Sequence, residues 1–204
     1  ALLVALPLAW LSDRFDFAGK AVLSGLLLVP MILPPFVGAI GFQKILGQYG
    51  VLNAALGLGP VDWLGDPHWA MPSIILLAVW KNFGYNMLIF VAGLQVIPED
   101  LYEAAAIDGA GYWRRFRHIT LPGLAPTFLF VSVTTMIGFF QLFAEPYVMT
   151  QGGPLGATRS LVLFMYEEGF RWWRMGMASA VAVMLLLITL AGTLIQLRWS
   201  RRET

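Results

Sequence analysis

The sequence predicts an all-α fold: a polytopic membrane helix bundle of about four complete spans plus a partial one. Three observations carry that expectation. Of 204 residues, 58% are hydrophobic and 12% charged, with a mean hydropathy of +0.72. Soluble domains run near about a quarter charged. The apolar residues gather in runs long enough to cross a hydrocarbon core of about 30 Å, which takes roughly 20 residues of helix. Charge gathers between those runs. Lipid cannot satisfy the backbone of an open strand, so the runs are helices.

The same composition removes several function classes. A net charge of +1 argues against a broad nucleic-acid surface. The absence of cysteine excludes disulfides, thiolate metal sites and cysteine nucleophiles. Phe, Trp and Tyr make up 14% of the chain, many at the ends of apolar runs, as in the aromatic belts of a membrane interface.

The elements follow in order. ALLVALPLAWL opens the chain without a basic segment before it or a small-residue cleavage site after it. It is expected to be the tail of a membrane helix, and the chain a fragment. Spans are expected at Ala21–Leu46, Trp69–Val96, Leu124–Met149 and Met177–Leu197. Pro30, Pro34 and Pro35 must kink or break the first of them. Ser160–Trp173, SLVLFMYEEGFRWW, is amphipathic and short, and reads as an interfacial helix.

Lys and Arg set the orientation. Arg14 and Lys20, then Arg114, Arg115 and Arg117, then Arg198, Arg201 and Arg202 fall on one side, which should be cytoplasmic. The C-terminus is cytoplasmic on this reading. The other side receives residues 47–68 and 150–160, although Arg159, Arg171 and Arg174 also fall there.

One cytoplasmic segment is unusual: EAAAIDGAGYWRRFRHITLP, from Glu103 to Pro122. Pro98 suits a first helical position, and Glu99 and Asp100 suit the positive end of the helix dipole. Leu101 to Ile107 read as two helical turns. Gly109 and Gly111 interrupt them, as a turn with φ > 0 or a close backbone approach would require. Tyr112 to His118 form a second short helix, which Leu121-Pro122 is expected to stop. His118 reads as an interfacial side chain without a special role. A helix–turn–helix with a small-residue surface invites close approach by another protein. A solvated loop is the plainer alternative.

Here the chain resembles the permeases of ABC importers. Glu103-Ala104-Ala105, Asp108-Gly109-Ala110, Ile119 and Leu121-Pro122 match their EAA signature. LYEAAAIDGA…F..ITLP is similar to the carbohydrate-uptake branch, with maltose and glycerol-3-phosphate permeases. So are GVLNAALG (50–57), VWKNFGYNMLIFVAGLQVIPEDLYEAA (79–105), TQGGP (150–154) and GMASAVAV (176–183). The ending LIQLRWSRR resembles the first of the two permease types in such systems. The resemblance implies the MetI-like fold of type I importers: one transmembrane domain over 1–204, with a coupling segment at 98–122. It implies a multi-pass protein of the bacterial inner membrane, in contact with lipid and importing a sugar or polyol by alternating access. The implied partners are a second permease subunit, two copies of an ATP-binding subunit and an extracytoplasmic solute-binding protein. Glu103, Ala104, Ala105, Asp108 and Gly109 would dock the ATPase.

Polar groups inside spans are costly and suggest function by default. Trp80, Asn82, Tyr85 and Asn86 cluster in the second full span, with Phe139, Phe140, Gln141 and Glu145 in the third. Aromatic faces with amide and carboxylate groups suit a sugar, so both clusters are candidates for the substrate pathway. Helix–helix packing is the alternative. Lys81 near mid-span and Glu145 near the outer end of its span are not expected to form a direct ion pair. Glu167 and Glu168 are expected to be solvated, or to contact a binding protein.

Enzyme motifs are missing. HExxH, GxSxG, paired-His metal spacing and a Walker A loop do not occur, so no catalytic residue, metal or cofactor is expected, and ATP hydrolysis would belong to another chain. A secondary transporter or channel working without an ATPase is the alternative. It predicts paired broken helices in two inverted repeats, which the sequence does not show.

Overall fold

A computed structural model describes residues 2–14, 16, 18–57 and 61–200, and among these no residue is in a strand. The order of helices is α1 (Leu2–Arg14), α2 (Lys20–Ile32), α3 (Pro35–Ile45), α4 (Val51–Leu56), α5 (Pro67–Gln95) and α6 (Glu99–Ile107). Then come α7 (Tyr112–Arg115), α8 (Leu121–Gly123), α9 (Ala125–Phe140), α10 (Ala144–Met149), α11 (Leu161–Tyr166) and α12 (Met175–Ser200). Wide π-turns continue α7 through Phe116–Thr120 and α11 through Glu167–Arg171. Arg201 and Arg202, counted above for orientation, lie outside the described residues.

Helix α5 is the axis of the bundle. Its most apolar stretch is 44% buried, against 6% for the corresponding stretches of 125–149 and of α12. Asp66 caps it by accepting from the His68 N–H at 2.7 Å, and Pro67 occupies the first turn, where no N–H is needed. That hydrogen bond holds the Asp66 carboxyl below the usual carboxylate range. The cap is therefore present at neutral pH and is lost as pH falls through the lowered value. Ala70, Ile74, Leu77, Gly84, Met87, Phe90 and Leu94 recur at helical spacing and are buried. The stripe wraps past one face, so α5 meets neighbours on several sides.

Helix α1 lies along α5, with Ala5 and Ala9 fully buried at a spacing of one turn. Small side chains at i and i+4 let two backbones approach, which is how helices associate without a hydrophobic driving force in lipid. Gly93 does the same toward α9: a Cβ there would stand 2.4 Å from Thr127 Oγ1. The core around Phe90, Leu94, Leu124 and Val131 closes this end, with Phe90 and Phe128 edge-on at 4.9 Å. Trp10 meets Phe116 at 5.3 Å, so the end of α1 lies beside the segment after α7.

The expected first span is broken, at Leu33-Pro34. Leu33 is extended, and α3 restarts with Pro35 in its first turn. Helices α3 and α10 pack together and on α5, around Ala39, Leu46, Ile74, Leu77 and Met149. The expected third span is broken too, since Gln141–Phe143 interrupts it between α9 and α10. Pro146 is the physical cause: it has no N–H for the Leu142 carbonyl and its ring collides with that group.

Leu121-Pro122 does not stop the second short helix, contrary to expectation. The helical path runs on to Gly123, because the π-turn lets the Leu121 N–H reach the Phe116 carbonyl five residues back. That wider register absorbs the proline. The turn falls instead at Leu124, whose φ of −85° and ψ of −1° connect to α9.

At the far end of α5, Asn53 organises the loop around α4. It is buried, donates to Gln48 O and Val61 O at 2.8 Å each, and accepts from Trp63 Nε1 at 2.7 Å. Asn53→Ala would leave these groups unpaired at about 1–3 kcal/mol. Limited proteolysis should then cut within residues 47–66 well before the rest of the chain.

Candidate functional site

The polar residues of α5 open onto a small cleft between α5 and α9. Lys81, Asn82, Tyr85 and Asn86 line one wall, and Thr134, Thr135, Gly138, Phe139 and Leu142 the other. Asn82 Nδ2 donates to its own helix at Ala78 O, 2.8 Å away. Asn86, buried, reaches Thr135 Oγ1 at 3.4 Å and ties the walls together.

The two sequence clusters are thus brought together in part. Asn82, Tyr85, Asn86 and Phe139 line the cleft. Trp80 instead packs on Phe42 with ring centroids 5.2 Å apart. Phe140 is partly exposed at the end of α9, and Gln141 lies in the break with its side chain exposed. The threonines of α9 escaped the sequence reading, although Thr135 and Thr134 stand four and five residues before Phe139, and Gly138 four before Leu142. One helical turn toward the N-terminus of the aromatic cluster was the signal.

Glu145 corrects a second expectation, for it forms a direct ion pair with Lys81. An unbroken span would carry Glu145 about 30 Å from Ala125, at about 1.5 Å per residue. The break before Pro146 ends α9 after only 16 residues, and α10 leans across onto α3 and α5. The carboxylate side chain is 2% exposed and the lysine 26%. A buried carboxylate needs such a partner, because desolvating an unpaired charge is far more costly.

Outward along the chain, Phe143, Tyr147, Tyr166 and Phe170 form a run of ring contacts, each 5.1–5.6 Å from the next. Glu167 and Glu168 beside it are not solvated, contrary to one of the expectations above. Glu167 binds Arg159 at 2.6 Å and Arg171 at 3.8 Å, and Glu168 binds Arg174 at 3.4 Å. The π-turn at Glu167–Arg171 folds both carboxylates back toward arginines before and after it. The 150–158 loop is pinned by Thr158, buried, which bonds Thr150 Oγ1 at 2.7 Å and Gly153 O at 2.8 Å.

The segment from 98 to 123 presents the second candidate surface. No residue of α6 is buried. Glu103, Ala104, Asp108 and Gly109 are exposed and Ala105 is half-buried, with Ile107 and Trp113 also open to solvent. Gly109 has φ +75°, and Ala110 N–H bonds Ala105 O at 2.8 Å while Gly109 N–H bonds Ala106 O at 3.0 Å. This pair of bonds around a left-handed residue is a Schellman cap. Gly111, by contrast, is extended and begins α7. Tyr102 and Thr120 share a hydrogen bond of 2.9 Å between their hydroxyls, tying α6 to the returning helix. His118 Nδ1 bonds Arg114 O at 2.9 Å, an exposed local contact. The result is a braced hairpin whose outer face is small and unencumbered.

Comparison with known proteins decides what such a molecule is. Residues 5–204 match the family described as binding-protein-dependent transport system inner membrane component. The chain belongs to this family. It is therefore an inner-membrane transport component and not an enzyme. Three helices among the described residues, Pro67–Gln95, Ala125–Met149 taken across its break and Met175–Trp199, are long and apolar enough to cross a membrane.

This transport component is 38% identical over 209 residues to a probable ABC transporter permease protein of Brucella suis, with all of this chain and 72% of that one covered. It is 37% identical to the arabinooligosaccharides transport system permease protein of Bacillus subtilis, over 89% of this chain and 60% of the relative. An sn-glycerol-3-phosphate transport system permease protein of Brucella suis is 40% identical, over all of this chain and 70% of that one. The chain thus spans 60–72% of the length of these relatives. Its fold is shared with a chain of a bacterial ABC transporter involved in the import of the acidic polysaccharide alginate. The TM-score is 0.89 at 24% identity, over all of this chain and 73% of that one.

Proposed function

We propose that this chain is the pore-forming permease subunit of a binding-protein-dependent ABC importer, which moves a sugar or related polyol inward by alternating access. A separate ATPase drives it. The supporting observation is the combination of family membership with the braced hairpin: no residue of α6 is buried, the helix is capped at Gly109, and it offers Glu103, Ala104, Ala105, Asp108 and Gly109 for docking. Two ATPase copies, a second permease subunit and an extracytoplasmic binding protein complete the machine. The hairpin and the C-terminus face the cytoplasm on this reading, with the cleft of α5 and α9 on the solute path.

The relatives' names bound the substrate only loosely. They include arabinooligosaccharides and trehalose/maltose, which are neutral, and sn-glycerol 3-phosphate, an anion. A transport system assembled from the full-length permease, its partner permease, the ATPase and the binding protein tests the reading in proteoliposomes. Uptake should require ATP and the binding protein. Uptake driven by an ion gradient alone, with no ATP, would establish the secondary-transporter alternative instead.

A further inference from the structure

We propose that the cleft between α5 and α9 is built for an uncharged polyhydroxylated solute, with the Lys81–Glu145 pair cancelling its one cation. This rests on the transport reading above and narrows its substrate class. Among the residues lining the cleft, Lys81 alone carries charge. Its counter-ion is Glu145, whose side chain is 2% exposed and lies behind the lysine rather than in the lining. An anionic solute at Lys81 would meet an ion pair of net charge zero. Were it to draw the lysine fully to itself, the buried carboxylate would be left without a partner, the costly state for an ion pair.

The rest of the lining has the complementary chemistry. Asn82 and Asn86 supply amides, Thr134 and Thr135 hydroxyls, and Tyr85 and Phe139 ring faces. Amides and hydroxyls both donate and accept, which matches a sugar hydroxyl in either role. Tyr85 is 46% exposed, so its ring is available on the cleft wall. A cleft for phosphate or carboxylate would instead hold a fixed cation free for bidentate or charge-assisted contact.

Equilibrium binding of tritiated maltotriose and tritiated trigalacturonate to the assembled full-length transporter in nanodiscs tests the proposal. These probes have the same number of sugar rings and differ chiefly in charge. The wild type should bind maltotriose at least about tenfold more tightly than trigalacturonate. Glu145→Gln, which frees the Lys81 charge, should move that ratio about tenfold or more toward the acid. Lys81→Met/Glu145→Gln should restore the neutral preference. Tighter binding of trigalacturonate by the wild type overturns the proposal, whatever the variants do. So does a ratio unmoved by Glu145→Gln in a folded complex, or failure of both probes to bind. ATP-driven uptake of another solute in that last case leaves the transport reading standing and places the failure in the substrate class.

Discussion

Gly109→Val is expected to lower ATP-driven uptake about 5- to 30-fold without preventing membrane insertion. The cause is one backbone angle. Gly109 sits at φ +75°, where an L-residue with a branched Cβ is strained, and a Cβ added there would meet nothing within 4 Å. The effect is therefore conformational, about 1–2 kcal/mol for forcing an L-residue into the left-handed region. Relief of that strain unwinds the cap formed by Ala105, Ala106 and Ala110, and with it the position of Asp108 and Ala104 on the docking face. Gly109→Asn separates geometry from chemistry, because asparagine visits this region more readily. Uptake should rank glycine first, asparagine second and valine last. Equal uptake by all three would remove the cap from the coupling account.

The second large effect belongs to Lys81 and Glu145. Lys81→Met or Glu145→Leu alone should destabilise the purified complex by about 3 kcal/mol, the lower end of the range for breaking a buried pair. The lower end applies because a quarter of the lysine side chain, 26%, remains exposed. The double variant should recover most of the loss, since apolar groups of similar volume can replace a buried pair at little cost. Thermal unfolding of the detergent-solubilised complex measures all three. A double variant no more stable than the worse single one would show that the pair contributes through something other than its charge balance.

How much of this was legible in the sequence differs from element to element. The runs that became α5 and α12 announced themselves by length and hydropathy, because a bilayer constrains both. The interruption at Leu33-Pro34 was signalled by adjacent prolines. Pro146 carried the same signal for α9 and α10, yet the predominantly apolar stretch from 124 to 149 has the length of one span and concealed it. That omission hid the ion pair, since its geometry depends wholly on where α9 ends. The π-turns at Phe116–Thr120 and Glu167–Arg171 have no local sequence rule behind them. They are set by packing, and they carried Leu121-Pro122 and Glu167-Glu168 into places that propensity and charge did not foretell. The small-residue face of α6 was readable in its order, Glu-Ala-Ala-Ala-Ile-Asp-Gly, because helix, cap and surface are all local there.

If α6 and the turn at Gly109 form the docking face for an ATPase subunit, that face must be covered in the assembled transporter. Residues 1–204 contain no cysteine, so Ala104→Cys places the one thiol of this segment on that exposed face. Labelling of this chain with a membrane-impermeant maleimide should be rapid in the permease pair alone. It should fall at least about tenfold once the ATPase is assembled, and return when the ATPase is stripped away; rates differing tenfold correspond to about 1.4 kcal/mol. Equally rapid labelling in an assembled complex that still transports would contradict the account.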